Sequence, residues 1–311
     1  MVAWRLVDRF FVIARGGKTM EQKKLLIIAG LGYAGQAVAK AAVAAGWRVV
    51  ATSRQPEGLK APPGVEVINF DDAGPAFAAA THWLITTPPD EAGDPVLRRH
   101  GPALTSGIQR WIGYLSTTGV YGDRGGGTVD EATPPAPGQP RSQRRLAAEE
   151  AWRAARPAGA ALDICRVGGI YGPGRAPFAE LRAGVARRVV KPGHSFSRIH
   201  RDDIAHAVMA AISNTPAPGC RVLNFVDDEP ADSAAVMEEA ARLLGVPPPP
   251  AIPFEEARAS MSPMALSFWS ENRRVANAAT KSALGIAWRY PSYREGLAAS
   301  LAEERRQGFG Q

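Results

Sequence analysis

A glycine-rich turn between a short apolar segment and a helical segment is the feature that most constrains this sequence. The apolar run Leu25–Ala29 has the length of a buried strand, and Gly30-Leu31-Gly32-Tyr33-Ala34-Gly35 follows it directly. Small apolar residues over 34–45 predict a helix, and 49–52 predicts a second strand. A strand, a glycine turn, a helix and a strand within about thirty residues predict a βαβ unit.

The alternation of strands and helices continues beyond this unit. Further strands are predicted at 65–70, 83–86, 111–115 and 162–166, with helices at 96–106 and 141–156. Because parallel strands need crossover connections, this pattern predicts an α/β fold with a doubly wound parallel sheet covered on both faces.

The sequence after Gly172 has a different character, with glycine-broken basic segments, a proline run and fewer strands. Its predicted elements are helices at 202–213, 233–244, 277–284 and 292–304 and a strand at 222–226. We therefore expect three parts. They are an N-terminal extension (1–23), a sheet domain that carries the glycine turn (24–172) and a smaller C-terminal substrate lobe woven partly into the sheet (173–311).

Residues 1–19 form an apolar and basic stretch with arginines at positions 5, 9 and 15. They are either a targeting or membrane-surface segment, or a translation artefact or frayed tail ahead of Met20 as the real start. A secretory signal is not indicated, because a long apolar core and a small-residue cleavage site are missing. The second interpretation is our expectation.

Composition and charge exclude several classes of protein. Hydrophobic residues make up 45% of the 311 positions, but no apolar run reaches the ~20 residues that span a bilayer, so we expect no membrane partner. The net charge is +7, yet no basic stripe interleaved with aromatics predicts nucleic-acid binding. The excess charge belongs either to a pocket for an anionic small molecule or to an arginine-rich surface.

The cysteine content bears on the cellular setting. The two cysteines, Cys165 and Cys220, are too few for a disulfide framework or a four-thiolate zinc site. They favour a reducing, cytoplasmic setting, and no metal-ligand spacing is present among the five histidines. The chain is expected to be a monomer or a homodimer.

The glycine turn has the spacing GxGxxG in the strand-to-helix context that is typical of a dinucleotide site. Gly30 permits the tight turn, Gly32 lets a pyrophosphate approach the backbone, and Gly35 lets the helix pack on the strand. The helix N-terminus at Tyr33 and Ala34 supplies free N–H groups and a partial positive charge to the phosphates. We therefore expect 24–172 to bind a nicotinamide dinucleotide.

The end of the second predicted strand distinguishes NADP(H) from NAD(H). An acidic residue there accepts hydrogen bonds from the ribose 2′-hydroxyl, but this chain has Thr52-Ser53-Arg54 instead. The Arg54 guanidinium can pair with a 2′-phosphate, so NADP(H) is expected ahead of NAD(H), unless Arg54 merely faces solvent. Asp71, just past the third strand, either accepts from the adenine amino group or caps the helix that begins near Ala73.

A series of motifs in a fixed order is more specific than any single loop. The motifs are Leu115-Ser116-Thr117-Thr118-Gly119-Val120-Tyr121-Gly122, Val129–Pro135, Leu146–Glu149, Arg166–Gly174, Ile199–Ala205, Val222–Val226 and Leu284-Gly285. In this order they resemble the extended short-chain dehydrogenase/reductase superfamily, of the NAD-dependent epimerase/dehydratase type, over nearly all of 24–300. The resemblance implies a seven-stranded Rossmann sheet, with substrate bound between it and the C-terminal lobe.

The resemblance also implies three catalytic positions, and two of them depart from the family. Members usually use a Ser/Thr, a Tyr and a Lys, which match Thr117, Arg141 and Arg145 in this chain. An arginine stays protonated at any working pH, so Arg141 cannot shuttle a proton as tyrosine does. Arg145 can still donate to the nicotinamide ribose, with poorer geometry than lysine.

Three features resemble the atypical YeeZ-like group of that superfamily. They are the GxGxxG spacing, the missing Tyr/Lys pair and the Thr86-Thr87-Pro88-Pro89 turn after the fourth strand. We expect Thr87 and Pro88 of this turn to lie against the cofactor. The group has no established substrate, so the resemblance supplies no reaction.

Several other residues are candidates for proton transfer or substrate binding. Tyr121 and Tyr171 follow strands whose carboxyl ends face the ligand in an open parallel sheet, and they either shape the pocket or transfer a proton. His200, with an unperturbed pKa of ~6.5, is either an acid/base or a packed or capping residue. A basic segment forms either an anion pocket or a solvated face; its members are Arg175, Arg187, Arg188, Lys191, His194, Arg198 and Arg201.

Two functions therefore remain open. The first is an NADP(H)-dependent oxidoreductase or epimerase-like enzyme, in which Thr117 orients the substrate oxygen and Tyr121, His200 or water supplies the proton. The second is a non-catalytic NAD(P)-binding redox sensor or partner-binding protein. An open basic cleft beside the nicotinamide position favours the enzyme, whereas a filled cleft favours the sensor.

Overall fold

The computed structural model describes residues 24–213 and 216–308, so the expectations for 1–23 lie outside the described residues. The strands are β1 Leu25–Ala29, β2 Arg48–Ser53, β3 Val65–Asn69, β4 His82–Ile85, β5 Trp111–Thr117, β6 Thr128–Val129, β7 Ala161–Val167, β8 Gly169–Tyr171, β9 Arg188–Val190, β10 Arg198–His200, β11 Gly219–Phe225, β12 Ala251–Pro253 and β13 Arg274–Val275. The helices are α1 Tyr33–Ala44, α2 Gly74–Ala79, α3 Pro95–His100, α4 Pro140–Ala155, α5 Phe178–Arg182, α6 Arg201–Ser213, α7 Ser233–Leu244, α8 Phe254–Ala257, α9 Pro263–Trp269, α10 Ala278–Leu284 and α11 Tyr293–Arg306. Within these described residues, three 3-10 helices add Gly101–Ser106, Thr118–Tyr121 and Arg258–Ser260.

Seven strands form the central sheet, in the order β11-β7-β5-β4-β1-β2-β3, and every neighbouring pair is parallel. This confirms the doubly wound α/β fold that the strand–helix alternation predicts. The strand order reverses between β1 and β4, and ligands of open parallel sheets bind at the carboxyl ends of the strands beside such a point. The glycine turn follows β1, so it lies at this position.

Burial on both faces explains why the central strands are continuous apolar runs. Along β1, Leu26 and Ile28 pack with Val38 of α1 in one core cluster, on one face of the sheet. Ile27 and Ala29 belong to a second cluster on the other face, which includes helical side chains of α2 and α4. Alternate side chains of a strand point to opposite faces, so a strand covered on both sides carries no polar alternation.

The C-terminal part of the chain returns to the sheet. Strand β11 pairs with β7 at the sheet edge, while three short parallel pairs, β8 with β10, β9 with β12 and β6 with β13, hold the remaining segments together. The division into parts at 24–172 and 173–311 stays a prediction. None of the helices between residues 24 and 308 that the structure describes is long and apolar enough to cross a membrane.

Two details differ from the sequence expectations. The predicted helix over 96–106 is helix α3 followed by the 3-10 helix Gly101–Ser106. Pro102 explains the change, because proline cannot donate the backbone hydrogen bond that continues an α-helix. The short strands and the short helices α5, α8 and α9 were not predicted, since segments of two to seven residues show no periodicity of their own.

Candidate functional site

The glycine turn forms a bare cradle at the end of β1. Gly30 has a φ of +94°, and a Cβ there would lie 2.8 Å from Thr86 Oγ1. A Cβ on Gly35 would lie 2.6 Å from the Gly30 carbonyl oxygen, whereas one on Gly32 would meet nothing within 4 Å. Gly30 and Gly35 therefore allow the turn to close, and Gly32 faces open space where a diphosphate can approach.

The N-terminus of α1 faces the same space with its backbone donors free. Gly32 is the N-cap residue and no side chain caps the helix. The first intrahelical bond runs from Gln36 N to Gly32 O, so the N–H groups of Tyr33, Ala34 and Gly35 have no partner among the described residues. Unpaired N–H groups and the helix dipole together favour an anion at this point.

A cavity of about 430 Å³ extends from the cradle across the carboxyl ends of β2 and β4. Ser53 and Arg54 line it on one side, and Thr87 and Pro88 line it on the other. The hydroxyl oxygen of Thr87 is buried and finds no hydrogen-bond partner among the described residues. A bare cradle, free N–H groups and an unpartnered buried hydroxyl in one cavity fit a dinucleotide.

Arg54 and Asp71 differ in their relation to this cavity. Arg54 is exposed, and no hydrogen bond or ion pair to another described residue engages its side chain. Asp71 does not line the cavity and does not cap α2, whose N-cap residue is Ala73. The Asp71 carboxylate instead lies 3.9 Å from Arg99 Nε on the surface.

Tyr33 contributes through its backbone only. Its hydroxyl donates to the carbonyl oxygen of Pro173 at 2.9 Å, and the guanidinium groups of Arg175 and Arg201 lie 4.3 and 5.1 Å from its ring centre. Burial raises its pKa to about 12. The side chain therefore joins the start of α1 to the segment after β8 and does not face the cofactor cavity.

A second cleft, of about 340 Å³, opens at the carboxyl ends of β5 and β7, farther along the same edge of the sheet. Thr117 lines it, and its Oγ1 accepts from Gly119 N at 3.1 Å, which leaves the hydroxyl proton free to donate to a ligand. Arg141, Arg198 and Arg273 also line it. An open and basic cleft is therefore present beside Thr117.

Burial places Tyr121 and Tyr171 outside both cavities. The Tyr121 hydroxyl donates to Asn224 Oδ1 at 2.7 Å, and burial raises its pKa. The Tyr171 hydroxyl donates to the carbonyl oxygen of Ser292, and burial raises its pKa as well. Neither phenol is placed for proton transfer to a ligand in these cavities. Both side chains instead stabilise the fold through internal hydrogen bonds.

His200, expected to be either an acid/base or a packed or capping residue, is packed in the structure. It is 1% exposed, its Nε2 lies 3.2 Å from Ser300 Oγ, and its Nδ1 accepts from Asp202 N. Burial lowers its pKa to about 4, so the ring is neutral at pH 7. The hydrogen bond from Asp202 N to Nδ1 pairs a backbone donor in the first turn of α6, which agrees with the capping interpretation.

Arg145 contacts the ends of two central strands. Its Nη1 donates to the carbonyl oxygen of Leu115 at 3.0 Å and lies 3.2 Å from the Tyr114 hydroxyl and 3.5 Å from the Thr87 carbonyl oxygen. The guanidinium lines neither cavity, although it lies between Thr87 of one and the strand that carries Thr117 of the other. It therefore positions the two strand ends.

The cleft contains residues that sequence reasoning did not identify. Five of them come from the segment around α9: Ser267, Phe268, Trp269, Glu271 and Arg273. Of the basic segment 175–201, Arg198 lines the cleft, while Arg188 pairs with Glu238 and Arg201 with Glu303. No motif marks the segment around α9, because it reaches the cleft only through the fold.

Asp227, just after β11, is a buried carboxyl group beside the backbone N–H of Glu229. Burial raises its pKa to about 8, although the charge of Arg198 opposes this shift. An unfolded aspartate has a pKa of ~3.9. Between these pH values the folded state holds a proton that the unfolded chain has lost, so the free energy of unfolding falls as the pH rises.

We expect Asp227→Asn to remove this pH dependence. Relative to the unsubstituted protein, the variant should gain thermal stability as the pH rises from 5 to 8.5, because it carries no proton to lose. Melting temperatures at several pH values test this, with Asp72→Asn on the exposed surface as the control. A difference in melting temperature that is the same at every pH would contradict the assignment.

Comparisons with known proteins agree with this architecture, although no protein-family model matches the chain. The protein YeeZ of Escherichia coli K12 is 30% identical over 246 residues, which are 73% of this chain and 86% of that protein. A 3-diazoavenalumate denitrifying reductase of a Streptomyces species is 34% identical over 145 residues, covering 43% of this chain and 45% of the reductase.

Solved structures share the fold over most of its length. A conserved protein of unknown function from Silicibacter pomeroyi is 43% identical, with a TM-score of 0.82 over 90% of this chain and 99% of that one. MoeE5 with UDP-glucose and NAD reaches 0.74 at 21% identity, over 91% and 99% of the two chains. Human epimerase family protein SDR39U1 with NADPH reaches 0.69 at 18% identity, over 89% and 99%.

The identity to YeeZ over most of both chains, together with the sheet order and the glycine cradle, establishes the family. The chain belongs to the NAD-dependent epimerase/dehydratase type of the short-chain dehydrogenase/reductase superfamily, in its atypical YeeZ-like group.

Proposed function

We propose that the protein is an NADP(H)-dependent oxidoreductase or epimerase-like enzyme that acts on a small anionic substrate. The observation that carries the proposal is the open basic cleft at Thr117, next along the sheet edge from the glycine cradle. A sensor needs the dinucleotide cavity alone, whereas an enzyme needs a second space for a substrate. NAD in MoeE5 and NADPH in SDR39U1 support a nicotinamide nucleotide as the cofactor.

The residues of the cradle have defined parts in holding the cofactor. The N–H groups at the start of α1 receive the diphosphate, and the Thr87 hydroxyl donates to a group deeper in the cavity. Arg54 pairs with a 2′-phosphate at the end of β2. When bound, the nicotinamide supplies a hydride donor or acceptor at its C4 atom.

The chain contributes orientation and electrostatics to the reaction. Thr117 donates a hydrogen bond to the substrate oxygen, which fixes the oxygen at the end of β5. Arginine side chains in the cleft attract and hold an anionic group. Since Tyr121 and His200 are buried elsewhere, water in the open cleft supplies or takes the proton.

Arg54→Gln tests the preference for NADP(H). We expect the affinity for NADPH to fall about tenfold or more, because a charge-assisted pair with the 2′-phosphate is lost, while the affinity for NADH stays unchanged. Fluorescence titration with both nucleotides measures this. Arg99→Gln, outside the cavity, removes the same charge as a control. Equal loss for both nucleotides, or NADH binding at least as tight as NADPH in the unsubstituted protein, would contradict the preference.

Turnover tests the enzymatic proposal itself. Purified protein with NADPH is screened against aldehydes and keto-sugars for oxidation of the nucleotide, and Thr117→Ala should then lower the rate about a hundredfold with little change in NADPH affinity. Thr105→Ala on the surface is the control, since its hydroxyl donates only to a local carbonyl. Turnover that is unchanged in Thr117→Ala removes this residue from the mechanism.

A redox sensor or partner-binding protein is the second candidate. The lining of the cleft favours it in one respect, because no tyrosine, histidine or lysine is among the described residues that line it. Tight NADPH binding without oxidation by any carbonyl substrate would support this function. A cytoplasmic setting, expected from the two cysteines, stays a prediction.

A further inference from the structure

The cleft at Thr117 has one wall of aromatic side chains. Phe196, Phe268 and Trp269 line it, and Trp269 stands edge-on to Phe196 with ring centres 5.1 Å apart. Phe254 and His194 pack against Trp269 from outside the lining, with ring centres 5.3 Å away in each case. These contacts hold the indole in place, so the wall is built before any ligand arrives.

The rim of this wall exposes apolar surface. Helix α9 presents Phe268, which is 51% exposed, and Met264, which is 69% exposed. Isolated exposed apolar residues need no explanation, but here one of them lines a cleft beside two further aromatic residues. An aromatic ring of a ligand would cover this surface and gain from stacking.

The arginines of the cleft favour a ligand that also carries a negative charge. The Arg141 guanidinium lies 4.0 Å from the ring centre of Phe268, and it makes no hydrogen bond or ion pair with any described residue. Arg273 donates through Nη1 to Gly122 O and to Glu271 Oε2, and Arg198 uses its Nη1 on two backbone carbonyls. Among the three arginines of the described cleft, Arg141 is therefore the one whose guanidinium makes no hydrogen bond or ion pair with a described residue.

The size and charge of the cleft limit what this fork can hold. Three arginines and one carboxylate, Glu271, line the cleft, so the excess is two positive charges. One free planar fork matches one planar carboxylate, and the nearby Glu271 carboxylate disfavours a ligand with further negative charge. A volume of about 340 Å³ is near the lower end of small-molecule pockets, which span about 300–1,000 Å³.

We propose that the cleft binds a small planar aromatic carboxylate. Its ring lies against Phe268 and Trp269, its carboxylate pairs with Arg141, and its reacting group faces Thr117. The inference rests on the proposed function in assigning the same cleft to the substrate, but the binding itself does not require turnover. The position that matches the catalytic tyrosine of the family thus serves substrate recognition in this chain.

Calorimetry tests the proposal without requiring a reaction. Protein saturated with NADPH is titrated with trans-cinnamate, with cinnamamide (no charge), with hexanoate (no ring), with phenyl phosphate and with UDP-glucose. We expect cinnamate to bind at least tenfold more tightly than each of the others. Equal binding of cinnamamide or hexanoate, tighter binding of phenyl phosphate or UDP-glucose, or no binding of cinnamate would each overturn the proposal.

Variants locate the binding in the cleft. Arg141→Gln and Trp269→Leu should each weaken cinnamate binding tenfold or more, while Arg305→Gln, which removes the same charge at the exposed end of α11, should leave it unchanged. NADPH affinity is measured for every variant as a check of folding. Cinnamate binding that persists in Arg141→Gln would overturn the assignment.

The same titrations separate the two proposals. The titrations are also repeated without nucleotide. If the protein binds cinnamate but not NADPH, the proposed function is contradicted and the carboxylate site stands. If the protein binds NADPH but not cinnamate, the carboxylate site is contradicted and the proposed function stands.

Discussion

Gly32→Val is expected to abolish dinucleotide binding while leaving the stability of the protein unchanged. The backbone at Gly32 has a φ of −78°, which valine adopts, and a Cβ there would meet no atom within 4 Å. The added side chain therefore fits the unliganded protein but fills the space where a diphosphate would lie. Because the phosphates could no longer reach the N–H groups of α1, we expect the affinity to fall at least about a hundredfold, or about 2.7 kcal/mol.

Two measurements on the same sample check this prediction. Calorimetry with NADPH gives the affinity, and thermal unfolding gives the stability. Gly159→Val is the matched control. Gly159 lies just before β7, at the amino ends of the strands and away from the glycine turn, and a Cβ there also meets no atom of a described residue within 4 Å. Retained binding in Gly32→Val would show that the cradle is not the diphosphate site.

Arg166→Met is expected to lower the free energy of unfolding by about 3–5 kcal/mol, the largest loss of stability among the substitutions considered. Arg166 and Glu149 form an ion pair at 2.8 Å in which the side chains are 3% and 1% exposed. Glu149 also accepts from the Ser116 hydroxyl, and the guanidinium lies 4.7 Å from the ring centre of Tyr121. Removing the arginine leaves the Glu149 carboxylate buried without its partner charge.

Urea unfolding of the variant measures this cost. Glu149→Leu combined with Arg166→Met should recover much of the stability, because the double substitution removes both buried charges. Arg258→Met is a control in which the ion pair with Glu255 is exposed and contributes at most about 1 kcal/mol. A loss below about 1 kcal/mol in Arg166→Met would contradict the prediction that Glu149 is left as a buried, uncompensated charge.

The fold could be predicted from the sequence where one local pattern determines the structure. Strand β1 was predicted with the observed ends, because five consecutive buried apolar residues are followed by a glycine that ends the strand. Helix α7 has the predicted range 233–244, and the structure shows Asp232 capping its start and Gly245 directly after its end. The short parallel pairs, such as β9 with β12, join segments about sixty residues apart in the chain. Nothing local in either segment specifies its partner.

The cofactor half of the candidate site could be predicted from a local pattern, whereas the substrate half could not. The cofactor half follows from Gly30, Gly32 and Gly35, whose spacing is local to one turn, and the structure gives each the surroundings that the motif implies. The substrate half depends on residues such as Trp269 and Arg273, which reach the cleft from a segment more than a hundred residues after Thr117. Sequence position alone could not place them there.

Burial decides the fate of the catalytic candidates. Tyr121 was a candidate because it follows strand β5, and His200 because of the pKa of imidazole, but both side chains turn into the protein and form hydrogen bonds there. A residue at the carboxyl end of a strand can face the cleft or the core, and packing of distant residues such as Asn224 and Ser300 makes the choice. Thr117 faces the cleft and stays a candidate.

A crystal structure of the protein soaked with NADPH tests the central claim most directly. We expect density for the diphosphate against the backbone of Gly32 and the first N–H groups of α1, with the 2′-phosphate beside Arg54 and the nicotinamide directed toward Thr117. Well-diffracting crystals with no nucleotide at the turn, or with nucleotide bound elsewhere on the molecule, would contradict it.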